Sequence, residues 1–320
     1  MHQLSISFSA FVTTKYNLIL TKMQYLVKVI YIFAILAYLE CEDDGKYLST
    51  YISKHFAFMV KNHTHFTLQF VYVDSIGEGT ISDIPNMESL MLYKIGLQKI
   101  EPGAFQNLPL LKSLTIMGSL ISRIDAGVFN NLNITELFIA ENSRPLSIAA
   151  GAFDNMTSLQ EIILRDVQLS TWNPQWFANT PQLKYISSED NPFDEIPGDA
   201  FQNLNSDNEI TINFAHGSIR KIHNDAFRGI KKIKLLSLQH NRLEEFSGHI
   251  LKNIEIGELR ISNNNFECLN ESEFANIFVA NKTAVGGNPW RPDCLQKILE
   301  WGISHNKIIK DIDLFRPISY

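Results

Sequence analysis

Apolar residues along this chain follow one short pattern that returns at a nearly constant interval. In Leu236-Ser-Leu-Gln-His-Asn-Arg-Leu243, apolar and polar positions alternate before an asparagine and a further leucine. Alternation is typical of a strand with one buried face. The alternating apolar pair recurs about every 24 residues, with occasional polar replacements, at Leu90/Leu92, Leu114/Ile116, Leu137/Ile139, Ile162/Leu164, Ile186/Ser188, Ile212/Phe214, Leu236/Leu238, Leu259/Ile261 and Thr283/Val285.

This unit resembles the leucine-rich repeat, in which each repeat buries its apolar face only by stacking on the next. We therefore predict an α/β fold: a right-handed leucine-rich-repeat solenoid with a concave parallel β-sheet and about nine repeats plus caps. The paired apolar side chains point inward. The residues between them point outward from the concave face, because successive strand side chains alternate sides.

The return half of each repeat carries a phenylalanine, which predicts a buried aromatic spine along the convex side. Its members are Phe105, Phe129, Phe153, Phe177, Phe201, Phe227 and Phe274, with Leu251 in one slot. The recurring asparagines are Asn142, Asn191, Asn241, Asn264 and Asn288. We interpret them as structural, since a buried amide can satisfy backbone groups where the strand bends into the loop.

The chain divides into four predicted segments: a signal peptide over 1–41, a linker and cap over 42–86, the solenoid over 87–290, and a C-terminal cap and tail over 291–320. A β-rich stretch from Phe66 to Val73 lies about one repeat ahead of Leu90. It is expected to form a strand that covers the first repeat, because solenoid ends need caps.

The N-terminal apolar run from Val29 to Leu39 follows several lysines and is shorter than the ~20 residues that span a bilayer. It favours a cleaved secretory signal peptide, with a second start available at Met23. An uncleaved membrane anchor is the alternative. Five glycosylation sequons agree with export, at Asn62, Asn133, Asn155, Asn270 and Asn281.

Near the C-terminus, Asn288-Pro-Trp290 is followed by Cys294 and by a helical pattern ending in Trp301. This arrangement resembles the C-terminal cap of extracellular leucine-rich-repeat proteins of the Slit and Toll type. Secreted arthropod members of that group, including the non-catalytic subunit of the shrimp Oplophorus luciferase, have a similar layout. The resemblance implies a binding protein, in a family whose partners are very diverse.

The cap differs from that family in its cysteines, because Pro292 stands where another cysteine is usual and none follows Cys294. Cys268 lies about one repeat earlier, and neighbouring turns stack ~4.8 Å apart. A Cys268–Cys294 disulfide is therefore geometrically allowed. Two free, buried thiols are the alternative.

No catalytic motif and no cofactor signature is present, so we expect neither enzymatic activity nor a cofactor. The formal charge is −6, and the basic residues are scattered along the chain. This disfavours nucleic acid as a partner. We expect a protein or other macromolecular ligand, with membrane association only if the N-terminal apolar run stays uncleaved.

The register predicts the surface that such a partner would use. Met91, Tyr93, Met117, Phe138 and Ile163 fall at outward positions of the first four repeats. Contiguous exposed apolar surface often marks a contact site. In the alternative interpretation these side chains pack along the sheet and the N-terminal cap covers them.

A second column of outward residues combines acids with histidines: Glu141, Asp166, Asp190, His216 and His240. We place this column at the last position of each strand, so that each of its residues would lie next to its equivalent on the neighbouring strand. It is either a solvated charged edge or a pH-sensitive part of the partner site, because histidine titrates near neutral pH. A more specific hypothesis is a metal ion bound by Asp190, His216 and His240, although a flat strand edge offers no further residues to surround the ion and orient its ligands.

The hypotheses that follow are a secreted glycoprotein that recognises a macromolecular partner on its concave face, an accessory subunit of a secreted enzyme, and a membrane-anchored adhesion or immune receptor ectodomain. The first is the one the patterns favour. Cleavage of the apolar run separates the third hypothesis from the others.

Overall fold

The computed structural model describes Phe56, Val60 and residues 63–130, 132–204 and 207–310. Within these residues the chain forms an eleven-stranded parallel sheet whose strands follow chain order. The predicted signal peptide and Asn62 lie outside them. The strands β1–β11 are His65–Gln69, Ser89–Tyr93, Ser113–Met117, Glu136–Ala140, Glu161–Arg165, Tyr185–Ser187, Ile210–Asn213, Lys232–Ser237, Glu255–Arg260, Lys282–Ala284 and Ile308–Lys310.

The strand pairing confirms the predicted repeat register. Leu90 pairs with Leu114, and the same column continues rung by rung to Thr283. The inward residues of these pairs are almost completely buried, including the polar Ser188 and Thr283. Apolar burial of this kind is the main favourable term in folding, so the stacked pairs form the core of the solenoid.

The predicted N-terminal cap strand is present as β1, where Phe66 pairs with Leu90. It ends at Gln69 and not at Val73, because Phe70 takes a left-handed backbone conformation with φ 54°. Convex-side backbones contribute only short strand pairs: Ser75–Ile76 with Lys99–Ile100, Ile81–Ser82 with Phe105–Gln106, Arg123–Ile124 with Ser147–Ile148, and Glu195–Ile196 with Lys221–Ile222.

The recurring asparagines are structural, as predicted. Asn191 is 2% exposed, and its amide oxygen accepts hydrogen bonds from the backbone N–H groups of Val167 (3.2 Å) and Leu169 (3.0 Å). Its amide nitrogen donates to the carbonyl of Leu164 at 2.7 Å. Each asparagine thus forms hydrogen bonds with the backbone N–H and C=O groups at the bend of the preceding repeat. Leaving these buried groups unpaired would cost free energy.

The aromatic spine is also present, with one interruption. Phe129 and Phe153 stack at 6.3 Å, and Phe153 and Phe177 at 5.8 Å. Trp172 then lies between Phe177 (5.9 Å) and Phe201 (5.6 Å). The indole N–H of Trp172 donates to the carbonyl of Ala200 at 3.1 Å, so its one polar group is satisfied inside the core.

The C-terminal cap consists of a 3₁₀ turn over Glu271–Glu273, helix α1 over Phe274–Ile277, helix α2 over Pro292–Ser304, and β11. Trp301 packs on Phe278 at 5.7 Å and closes the end of the core. The structure joins Cys268 and Cys294 by a disulfide, with their Cα atoms 5.4 Å apart. Strand β11 extends the sheet by one rung beyond the predicted repeats.

Removing the ring of Phe153 tests the spine. Phe153 is fully buried, so Phe153→Ala should lower the free energy of unfolding by ~3–5 kcal/mol through lost burial and a residual cavity. Chemical denaturation followed by circular dichroism measures the change. Leu110→Ala is the matched control, since Leu110 is 48% exposed and should change stability by less than ~0.5 kcal/mol. Equal effects of the two substitutions would contradict the spine.

Candidate partner-binding face

The predicted partner-binding residues lie on the concave face in the predicted columns. Met91, Phe138 and Ile163 occupy one column, and Tyr93 and Met117 the next. Met91, Tyr93, Met117 and Phe138 are half-buried and present part of their apolar surface. These four side chains are therefore available for contact from the open side of the sheet.

The prediction that Ile163 is exposed was wrong, because its exposed fraction is only 8%. Glu161 and Arg165 lie two residues away on the same face of β5 and are half-buried. Phe138 is its partner on the neighbouring strand. A branched side chain that is shorter than its neighbours on both sides contributes little to the surface.

Two aromatic residues that sequence reasoning left out extend this surface at its N-terminal end. Phe70 is 69% exposed and Tyr72 is 48% exposed. Phe70 contacts Tyr93 edge to face at 5.5 Å, and the amide of Gln98 donates to the Tyr72 hydroxyl at 3.1 Å. Adding one repeat length to Phe70 gives Lys94, so extending that column back by one repeat would have found Phe70. The same step from Tyr72 gives Gly96, which lies outside the predicted columns.

We define the N-terminal aromatic patch by the six apolar residues that remain accessible around this corner: Phe70, Tyr72, Met91, Tyr93, Met117 and Phe138. The Lys94 ammonium lies 5.1 Å from the centre of the Tyr93 ring, within cation–π distance. The hydrogen bond with Tyr93 is the largest of the effects that raise the pKa of Lys94. The patch thus combines aromatic surface with one positive charge.

The acid–histidine column lies past the strand ends, one residue beyond β2–β5 and three residues beyond β6–β9, and not at the predicted last strand position. The strands end before it, and every member of the column has a left-handed backbone with φ between 49° and 68°. The column comprises Lys94, Gly118, Glu141, Asp166, Asp190, His216, His240 and Asn263. Glycine, asparagine, aspartate and histidine tolerate this conformation better than most residues. Backbone geometry therefore explains much of the composition that suggested a pH-sensitive site.

His216 and His240 nevertheless form a specific contact. Their rings stack with centroids 4.3 Å apart and an interplanar angle of 11°. The Asn263 amide lies 3.4 Å from Nε2 of His240. Partial burial raises the pKa of the neighbouring Asp190 carboxyl, against the opposing effect of His216. Among the described residues no group of three or more His, Cys, Asp or Glu side chains could hold a metal ion.

The C-terminal half of the concave face has a polar character. Arg260 is only 7% exposed, and its Nε donates to Glu258 at 2.6 Å, while Lys282 donates to the same carboxylate at 3.0 Å. Burial alone would raise the pKa of Glu258, but these hydrogen bonds and charges lower it below its usual value. Small polar residues such as Ser187 and Ser237 occupy the same column. Little apolar surface is available here.

Four of the five predicted glycosylation sites fall on described residues, and all four asparagines are exposed: Asn133, Asn155, Asn270 and Asn281. Asn133 and Asn155 lie between the spine phenylalanine and the next concave strand in consecutive repeats. Asn270 caps the 3₁₀ turn by accepting from the Ser272 backbone N–H at 3.2 Å.

This combination of a parallel repeat sheet and an asparagine ladder defines a leucine-rich-repeat solenoid. Family models give the same result. The model described as the BspA-type leucine-rich-repeat region matches residues 122–219 and 194–283 in six copies, and a second leucine-rich-repeat model matches 85–143. The chain belongs to the leucine-rich-repeat family. A comparison with curated protein sequences finds no match.

Solved structures with the same fold include several complexes. The mouse RP105/MD-1 complex matches with a TM-score of 0.65 and 19% identity, over 79% of this chain and 44% of that one. The Drosophila Toll–Spätzle complex gives 0.58 and 18%, over 74% and 31%. The TLR13–ssRNA13 complex gives 0.56 and 16%, over 73% and 38%. The chain spans less than half the length of these proteins.

Acidification should reveal the role of Glu258. Because its pKa is lowered in the folded protein, the carboxylate stabilises the fold above its unfolded pKa, and that contribution is lost as the pH falls through the folded pKa. Glu258→Gln should therefore lower the free energy of unfolding at pH 7 by ~1–3 kcal/mol, with the difference shrinking toward pH 3. Denaturation across this range measures it.

Glu195→Gln is the control for that substitution, because the 3.7 Å contact of Glu195 with Lys221 is exposed. Exposed ion pairs contribute ~0–1 kcal/mol. A constant Glu258→Gln effect from pH 7 to pH 3 would contradict the assigned charge network.

Proposed function

We propose that this protein is a secreted, glycosylated binding protein that recognises a protein partner through the N-terminal aromatic patch of its concave face. The main support for this proposal is the accessible apolar surface of Phe70, Tyr72, Tyr93 and their neighbours on an otherwise polar face. Aromatic residues and methionine are enriched in protein contact sites. The rigid stacking of strands beneath the patch reduces the entropy cost of binding.

The charges around the patch favour a partner with an apolar and basic contact surface. Glu136 lies on the same strand as Phe138, and Glu161 lies on the neighbouring strand. Glu141 and Asp166 follow the ends of these two strands. Lys94 and Arg165 offset only part of this negative charge. The phosphate backbone of a nucleic acid would be repelled, whereas lysine or arginine beside an apolar anchor would be attracted.

Two observations support the extracellular part of the proposal. The four described sequons are exposed, the cap contains a disulfide, and disulfides persist mainly in oxidising compartments. None of the helices in the described part of the chain has the length and apolar character that crossing a membrane requires.

Charge placed on the patch should abolish partner binding. The double variant Met117→Glu/Phe138→Glu should lose capture of the main partner, at least ~100-fold in Kd, because it puts carboxylates on an apolar contact next to existing acids. Affinity capture from native extracellular fluid, followed by mass spectrometry and a binding titration, measures the loss. Ile303→Glu is the control, since Ile303 is 80% exposed on α2. Undiminished capture by the double variant would place the site elsewhere.

The stacked histidines predict pH-dependent binding if the partner also reaches this edge. Protonating both rings puts two positive charges on neighbouring turns, beside Asp190 and Glu189. Partner affinity should therefore change on mild acidification, because histidine is the side chain whose charge changes near neutral pH. The test measures partner affinity as a function of pH for the wild type and for the double variant His216→Gln/His240→Gln. Superimposable pH profiles would rule out a role for the pair.

Expression in a secretory cell tests the compartment. We expect soluble protein in the medium, beginning between residues 38 and 42, with glycans on several of the sequons that start at Asn62, Asn133, Asn155, Asn270 and Asn281. Peptide mapping with and without glycosidase locates both features. Recovery in the membrane fraction with the Val29–Leu39 run intact would instead favour a membrane-anchored ectodomain.

A further inference from the structure

The two sulfurs of the Cys268–Cys294 disulfide lie in different environments. Cys268 is exposed in the loop after β9. Cys294 is 2% exposed and is the third residue of α2, where its N–H donates to the carbonyl of Arg291. An incoming thiol therefore meets Cys268 first, while Cys294 is shielded.

The surroundings of Cys294 stabilise a thiolate. Helix α2 has thirteen residues, and Cys294 lies in its first turn, at the positive end of the helix dipole. The Arg291 guanidinium lies 3.2 Å from the Cys294 sulfur. Cysteines at helix N-termini and beside arginine have lowered thiol pKa values. Asp293 opposes this effect, but its carboxylate is farther from the sulfur, at 4.0 Å, and pairs with Arg291.

Cys268 has no comparable stabilisation. Its sulfur lies 3.6 Å from the carbonyl oxygen of Leu269, which would disfavour negative charge. It lines an open pocket whose other residues are Glu244, Asn265, Glu267, Pro289 and Arg291. The two acidic residues favour entry of a neutral or cationic thiol over an anionic one.

From this asymmetry we infer that the Cys268–Cys294 disulfide is a site of thiol–disulfide exchange with a fixed direction, with Cys268 as the attacked sulfur and Cys294 as the leaving group. A thiolate of a dithiol reductant bonds to the Cys268 sulfur. The Cys268–Cys294 bond breaks, and Cys294 leaves with the electron pair as a thiolate beside Arg291. The lower the pKa of the leaving thiol, the faster this step.

The second thiolate of the reductant then attacks the reductant's own sulfur in the mixed disulfide. Cys268 is released as a thiolate, and the reductant becomes a disulfide. Two electrons have passed from the dithiol to the protein, and the two cysteine thiolates take up the protons that the dithiol lost. Each bond broken is matched by one formed.

Reduction should loosen only the start of α2, because other contacts hold the remainder of the cap. Lys297 pairs with Glu271 at 2.8 Å, Trp301 packs on Phe278, and the Lys307 ammonium donates to the carbonyl of Val279 at 2.7 Å. The exchange is thus a local change at the C-terminal end of a solenoid that stays folded.

The test uses the full-length secreted protein. Cysteamine, a cationic monothiol, forms the mixed disulfide, N-ethylmaleimide traps the released thiol, and peptide mapping identifies each sulfur. We expect cysteamine on Cys268 and maleimide on Cys294. Dithiothreitol under excess conditions then gives the reduction rate of the wild type, Arg291→Gln, Arg291→Lys and the control Arg220→Gln, which replaces an exposed arginine in a distant repeat.

Arg291→Gln should slow reduction by about threefold or more, since it raises the pKa of the leaving thiol, while Arg291→Lys should restore most of the rate. The melting temperatures of all variants should agree. Cysteamine attached to Cys294, an unchanged rate in Arg291→Gln, or a rate that rises with urea in step with global unfolding would each overturn the inference.

Discussion

Every repeat of this solenoid can bury its apolar pair only against the pair of the next repeat, and the rest of the structure depends on that stacking. Leu90, Leu114 and Leu137 lie in one column because each strand contributes its inward residues at the same height. A slip of one residue would turn these side chains outward. The core therefore fixes the register of the strands, and this register determines which residues lie on the concave surface.

Stacking also determines what each concave column can display. The turn after each strand needs a residue with a left-handed backbone conformation. Gly118, Asp190 and Asn263 all have this conformation, which explains their residue types without a common function. The strand positions are freer, and here the two halves of the sheet differ. Aromatic residues and methionine remain accessible on β1–β4, whereas a polar network around Glu258 and Arg260 occupies β9. A protein partner would find its apolar anchor at the first half.

The sequence predicted the repeat register, the asparagine ladder and most of the spine, because each depends on a spacing that repeats in the chain. It missed Trp172, which enters the core from outside the phenylalanine slot. It missed β11, whose residues Ile308–Lys310 pair with Lys282–Ala284 after the intervening helix α2.

The candidate surface was harder to predict than the core, since exposure depends on the neighbours of a side chain as well as on its direction. Ile163 points outward and is still buried, while Phe70 and Tyr72 are exposed just after the cap strand, in a segment that carries only part of the repeat pattern. The acid–histidine column lies one or three residues past the strand ends, because polar residues continue past each strand and alternation alone does not show where it ends. Identifying left-handed positions from their glycine, asparagine and aspartate residues would have corrected it.

Site-specific photo-crosslinking tests the central claim most directly, because it reports contact without disturbing the fold. A photoreactive methionine analogue at Met91, activated in native extracellular fluid, should give one dominant covalent adduct with a protein partner. The same type of probe at Leu110, which is exposed in the loop leading into β3, should give none. Equal adducts from both positions, or an adduct from Leu110 alone, would contradict binding through the N-terminal aromatic patch.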